Sequence, residues 1–234
     1  MIIWVAAPCL EPDRAEEFAD RWHERGYRVA IVMNREKYKP VKADVLLKVD
    51  AYEGYYRTLN FLCQGLVQNE KADVVVCAGD RVRPPALRGA HEIGTTFAAR
   101  FQSGIGVMQP GTGAQALFDR ENCPSPWIGC NFIRKFYGGK GPFHEGYFQF
   151  HGGKELFAVA QKAGLLWQRD DIHQEEQPIA TPSYFQNRNR EEYYNKDLMH
   201  FKERELYKFE GAEAGQIIVA SSMHLPRMTK LRRV

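Results

Sequence analysis

Apolar and polar positions change rhythm along this chain, and the rhythm predicts alternating strands and helices. Ile2–Ala6 is a short apolar run that stops at Pro8. From Pro12 to Arg25, Ala15, Phe18, Ala19 and Trp22 share one helical face and charges occupy the other. Gly26 follows as a C-terminal cap. Arg28–Met33 reads as a second strand closed by Asn34, and Asp44–Val49 as a third. Helical spacing returns over Tyr55–Val67 through Leu59, Leu62, Cys63 and Leu66. Ala72–Ala78 is apolar nearly throughout, which suits a parallel strand covered on both faces. Gly79 and Asp80 end it.

This β-α-β-α-β order predicts an open, mostly parallel α/β sheet. Ligands of such sheets bind beyond the carboxyl ends of the strands. Those ends carry Ala7-Pro8, Asn34, Asp50 and Gly79-Asp80, and none is a GxGxxG or GxxxxGK[ST] loop. Between residues 100 and 153 periodicity is poor and Gly, Pro and aromatics abound, so loops and short strands are expected. Lys154–Ala163 reads as a helix stopped by Gly164, and Leu165–Trp167 as a short strand. Residues 184–208 mix charges with aromatics and read as a surface helix.

With 234 residues, 44% hydrophobic and 26% charged, the composition fits one globular domain with elaborations. No apolar run approaches the ~18–20 residues of a membrane span. The opening MIIWVAAPCL lacks the basic start of a secretory signal, so a cytoplasmic location is expected. Five cysteines without CxxC spacing argue against a disulfide framework or a zinc cage. Net charge is only +3, but Arg227, Lys230, Arg232 and Arg233 form an all-positive stretch. Such a stretch can track a phosphate backbone or simply be solvated.

Asp80 is the leading acid. It follows a buried strand and a glycine, where a carboxylate can face a ligand crevice and hold a metal or a ribose hydroxyl. The alternative is a turn cap beside Pro84-Pro85. From the first strand through Asn34 and Asn60 to ADVVVCAGDRVRPP, the chain resembles the nucleotide-sugar half of GT-A glycosyltransferases. The resemblance implies a GT-A-like, Rossmann-type open sheet with helices on both faces, a loop-rich acceptor half and a C-terminal helix. It implies a single domain: residues 1–99 for the nucleotide sugar, 100–183 for the acceptor, and 184–234 as a helical and basic extension. It also implies Mn²⁺ or Mg²⁺ at Asp80. Arg81 stands where the family carries a further acid, and a guanidinium can itself neutralise diphosphate charge.

The segments SPWIGCNFIRKFYGGKGPFHEGYFQF and KELFAVAQKAGLLWQRDDIHQ resemble small phage and metagenomic glycosyltransferase-like proteins. That resemblance implies a nucleoside-diphosphate sugar, UDP-linked by family habit, as donor. It implies a 5-hydroxymethylpyrimidine in DNA as acceptor. The residues expected at the nucleotide are Ala7, Pro8, Arg14, Asn34, Asp50, Asn60, Asp80 and Arg81. His173 would complete the metal site, or be structural. Glu145, Glu155 and His151 compete for general base, and Glu155 also suits the start of a helix. Trp127 and Tyr147 would shape the acceptor side, with Trp127 equally suited to a core, and Lys230, Arg232 and Arg233 would meet DNA. Lys154 in place of an acid, and Glu175 in place of a second histidine, leave room for a non-catalytic nucleotide- or nucleic-acid-binding module. A sugar nucleotidyltransferase ranks last, because APCLEPDR is not a Gly-rich basic loop.

Overall fold

The computed structural model describes residues 1–9, 11–50, 52–69, 71–111, 121–177 and 190–210. Strands β1 (Ile3–Pro8), β2 (Arg28–Asn34), β3 (Val45–Val49) and β4 (Val74–Cys77) alternate with helices α1 (Pro12–Glu24) and α2 (Tyr55–Asn69). Helix α3 (Ala90–Arg100), strands β5 (Val107–Gly111) and β6 (Trp127–Gly129), and helices α4 (Cys130–Tyr137) and α5 (Gly152–Lys162) follow. Strand β7 (Leu166–His173) and helix α6 (Arg190–Leu206) complete the described elements. Pro12 starts α1 because its fixed φ suits a first helical turn. Gly26, at φ 82°, lets the chain leave α1 and turn directly into β2.

The seven strands form one sheet in the order β3-β2-β1-β4-β6-β5-β7. β6 is antiparallel to both of its neighbours and every other pairing is parallel. The expected open, mostly parallel α/β sheet with helices on both faces is therefore present. Side-chain alternation along the strands splits the interior in two. Trp4, Ala6, Val75 and Ile128 pack with α2, α4 and α5, while Ile3, Val5, Val76 and Trp127 pack with α1 and α3. β1 and β4 are buried along their whole length because both faces are covered, which is why they read as unbroken apolar runs.

Two expectations need correction. Residues 100–153 hold short strands as expected, β5 and β6, but also the helix α4, because Phe132, Ile133 and Tyr137 bury one face of a short helix. Strand β7 runs to His173, well past Trp167, and a register shift at Pro110/Gly111 lets it pair Gly111 with His173.

Candidate functional site

The sheet order reverses between β1 and β4: the chain leaves β1 toward β2 and β3, while later strands add beyond β4. In open α/β sheets this switch point opens a crevice at the carboxyl ends. The amide of Ala78 donates to the Ala6 carbonyl at 3.0 Å, so pairing continues to the edge and Gly79-Asp80 emerges beside Pro8-Cys9. The first turn of α1 brings Arg14 to the same edge. From the far side, the segment after β7 crosses back. Arg83 donates its amide to Glu175 at 2.9 Å, Gln177 donates to Arg81 at 3.1 Å, and Val82 bridges Glu176.

Asp80 is thus half-buried among charges of both signs. Burial raises its carboxyl above the usual range. Arg14 and Arg81 act against that shift, and Glu11 and Glu176 reinforce it. Arg81 pairs with Glu176 and also reaches the Gln177 carbonyl at 3.4 Å. Arg14 is half-buried, and among the described residues it makes no hydrogen bond or ion pair. The field of Asp80 reaches two neighbours. Cys9 is fully buried, and burial first and Asp80 second push its thiol up. Burial and then Asp80 likewise hold the Tyr52 phenol protonated. Tyr55, at the start of α2, is raised by burial and, less strongly, by Cys77, Tyr56, Tyr52 and Glu176.

This donor set does not fit a hard divalent cation, which takes six or more oxygens from several carboxylates, carbonyls and waters. The charges of Arg14 and Arg81, which both act on Asp80, repel such an ion. Among the described residues no three His, Cys, Asp or Glu side chains assemble as metal ligands. His173 is exposed at the end of β7, where its Nδ1 lies 3.2 Å from the place a Cβ on Gly111 would occupy. Asp171 near it is held down to about 2 by the paired hydrogen bonds of Arg169, at 2.5 Å each.

Several residues expected at the nucleotide have other tasks. Ala7 and Pro8 lie at the end of β1, buried and in register with Ile31 and Val32 of β2. Asn34 accepts the Glu36 amide at 3.1 Å and caps a short turn. Asp50 is exposed and pairs with Arg35 at 2.9 Å. Asn60 clamps Phe143, donating to its carbonyl at 2.8 Å and accepting its amide at 3.0 Å. Only a glycine fits at 141, since a Cβ there would come within 2.4–2.6 Å of Asn60.

The residues expected on the acceptor side divide in the same way. Glu155 is 1% exposed; one carboxylate oxygen accepts the Tyr147 hydroxyl at 2.7 Å and the other the Arg204 guanidinium at 2.8 Å. A carboxylate so enclosed cannot reach an acceptor hydroxyl, and Tyr147, fully buried, cannot contact one either. Trp127 is fully buried on β6 with its edge against Tyr27, so it belongs to the core. His151 caps α5 in the left-handed region, its ring against Tyr194 and Phe201 of α6. Glu145 alone of the three base candidates is exposed, and its carbonyl accepts from Arg57 at 3.1 Å. Lys230, Arg232 and Arg233 lie outside the described residues.

Three residues that tie α6 down escape a reading of local pattern. Asp197 is 2% exposed and accepts the amides of Phe148, Gln149 and Phe150 at 2.9, 2.7 and 2.7 Å. His200 lies 3.0 Å from His144, and Arg204 completes the pair with Glu155. The spacing 197-200-204 on a helix is the only sequence signal they share. Their partners lie 47 to 56 residues away.

No described helix is long and apolar enough to cross a membrane. No family model matches the chain, and no curated protein matches it. Among solved structures, the catalytic domain of Drosophila beta1,4-galactosyltransferase 7, in complex with xylobiose, is similar at a TM-score of 0.45 and 10% identity. The similarity covers 73% of this chain and 65% of that one, so this chain spans a little under two thirds of that domain. At that TM-score the likeness decides no chemistry.

Proposed function

We propose that the chain is a glycosyltransferase that takes a nucleoside-diphosphate sugar, UDP-linked, into the crevice between β1 and β4. The observation that carries this reading is the placement of Asp80 at the switch point between Arg14 and Arg81. Two guanidiniums suit a diphosphate, and the N-terminal turn of α1 adds the favourable end of a helix dipole. Asp80 then accepts hydrogen bonds from the ribose hydroxyls. In the transfer, the bond from the anomeric carbon to the diphosphate oxygen breaks and a bond to the acceptor oxygen forms. The nucleoside diphosphate leaves with the electron pair, and the acceptor proton passes to a base. Glu145, exposed on the loop that α6 holds, is the base in this reading, because Glu155 is enclosed.

The acceptor in this reading is the hydroxyl of a 5-hydroxymethylpyrimidine in DNA, exposed by flipping or by strand separation. The resemblance to phage proteins and the basic run of Lys230, Arg232 and Arg233 support it. A second reading, a nucleotide-binding module without transfer, is favoured by the enclosure of Glu155 in a structural ion pair. The test is UDP release from a panel of UDP-sugars, with and without hydroxymethylated DNA. Release that requires the hydroxymethyl group supports transfer to DNA. Release with saccharide acceptors alone removes the DNA acceptor, and binding without release selects the module.

A further inference from the structure

We infer that the crevice holds the diphosphate of its ligand without a divalent cation, Arg14 and Arg81 standing where the cation would, and that Glu176 occupies Arg81 until the ligand arrives. This rests on the nucleotide-sugar reading above and names how that site meets its charge.

A metal at this edge would need several oxygen donors and would sit against two guanidiniums. Of the described acids at the strand ends, Asp80 is the half-buried one; Asp50 is turned to Arg35, and Asp171 is locked to Arg169. Glu11 is paired with Lys37 at 2.5 Å, and Glu176 with Arg81. The positive charge a diphosphate requires is already present. Arg14 projects from the first helical turn beside β1, half-buried and, among the described residues, without a hydrogen bond or ion pair, while its charge acts on Asp80. A half-buried guanidinium that meets no hydrogen-bonded anion among the described residues is a favourable seat for a visiting one.

Arg81 is held differently. Its guanidinium side chain is 17% exposed, whereas its partner Glu176 is 57% exposed. The carboxylate is the solvated, exchangeable member of that pair. A diphosphate, with a negative charge on each phosphoryl group, can displace a single carboxylate from Arg81 and offer its second charge to Arg14, whereas a nucleoside brings no charge to either. Glu176 is fixed in place by the bridge to Val82, so it stands next to the ligand as a built-in competitor.

The test is calorimetric binding of UDP and of uridine to the full chain, in EDTA and again in MnCl₂. The expected result is UDP binding in EDTA, with affinity changed less than about twofold by Mn²⁺ and falling with added salt. Arg14→Ala and Arg81→Ala should each weaken UDP by about tenfold or more, the loss of a charged hydrogen-bonded contact, and leave uridine unchanged. Glu176→Gln should tighten UDP severalfold by removing the competitor. Unchanged urea midpoints confirm that each variant folds, and Arg81→Lys, which keeps the charge, should lose less than Arg81→Ala. UDP binding that appears only with Mn²⁺ overturns the inference and leaves the nucleotide reading standing. Weaker UDP binding in Glu176→Gln overturns the role given to Glu176. No binding of UDP, GDP, dTDP or CDP under either condition removes the nucleotide reading itself, and the inference with it.

Discussion

Two clusters of charge, one at the crevice and one beneath α6, use similar residues to opposite ends. Beneath α6, Glu155 and Asp197 are almost fully buried, and every carboxylate oxygen faces a donor. At the crevice, Asp80 is half-buried, Arg14 is unpaired among the described residues, and Arg81 is shared with a solvated carboxylate. A closed account of donors and acceptors marks a cluster that holds the protein together. An open one marks a cluster waiting for something else. The difference would have been missed by ranking acids on burial alone, which favours Glu155 over Asp80.

The largest effect that tests this contrast is on the closed cluster. Arg204→Ala leaves Glu155 buried without its counter-charge and should destabilise the fold by about 3–5 kcal/mol, read from urea unfolding. A loss below about 1 kcal/mol would mean that the pair is solvated and that the two clusters do not differ in kind.

A smaller effect comes from the pair His144 and His200 in the same region. Burial lowers both, His144 to about 4. Glu155 opposes the shift at both rings, helped at His200 by Glu203 and Asp197, and Arg204 supports it. At His144 the unfolded chain therefore takes up a proton near pH 6.5 that the folded chain refuses until about 4, and His200 shifts in the same direction. Stability should be fully present above about pH 6.5 and fall through that window, by on the order of 2 kcal/mol for His144. Urea midpoints at pH 7 and pH 4.5 measure this. Replacing both histidines by glutamine should flatten the slope, and a slope that survives would assign it to other groups.

The smallest effect belongs to the open cluster. Burial raises the Asp80 carboxyl, so its stabilising form is the protonated one, present below its unfolded value and lost as pH rises through its folded value. At pH 7, Asp80→Asn should leave the melting temperature unchanged or raised. A clear drop in Tm would make Asp80 a structural residue like Glu155.

The sequence and the structure agree best where burial is two-sided. β1, β2 and β4 are legible because no polar position interrupts them, and Asp80 is legible because the rule about strand ends needs only a strand and an acid. Arg14 is legible as a first-turn charge, although its lack of a partner is a fact of three dimensions. Helix α4 is hidden by the glycine-rich residues after it, which dilute a short apolar face. The roles of Asn60 and Glu155 are unreadable in principle from local pattern. Their partners Phe143 and Arg204 are brought to them by the packing of α2 and α6, across 83 and 49 residues.

The reversed direction of β6 has an architectural consequence. Because β5 and β6 run opposite ways, β5 ends at Gly111 and β6 begins at Trp127 on the edge where Asp80 stands. The last stretch before β6 is itself part of the packing: Cys123 and Ser125 are buried, the Cys77 amide donates to the Pro126 carbonyl, and Ser125 donates to the Cys77 carbonyl at 3.1 Å. The antiparallel strand is thus locked to the neighbour from which Asp80 emerges.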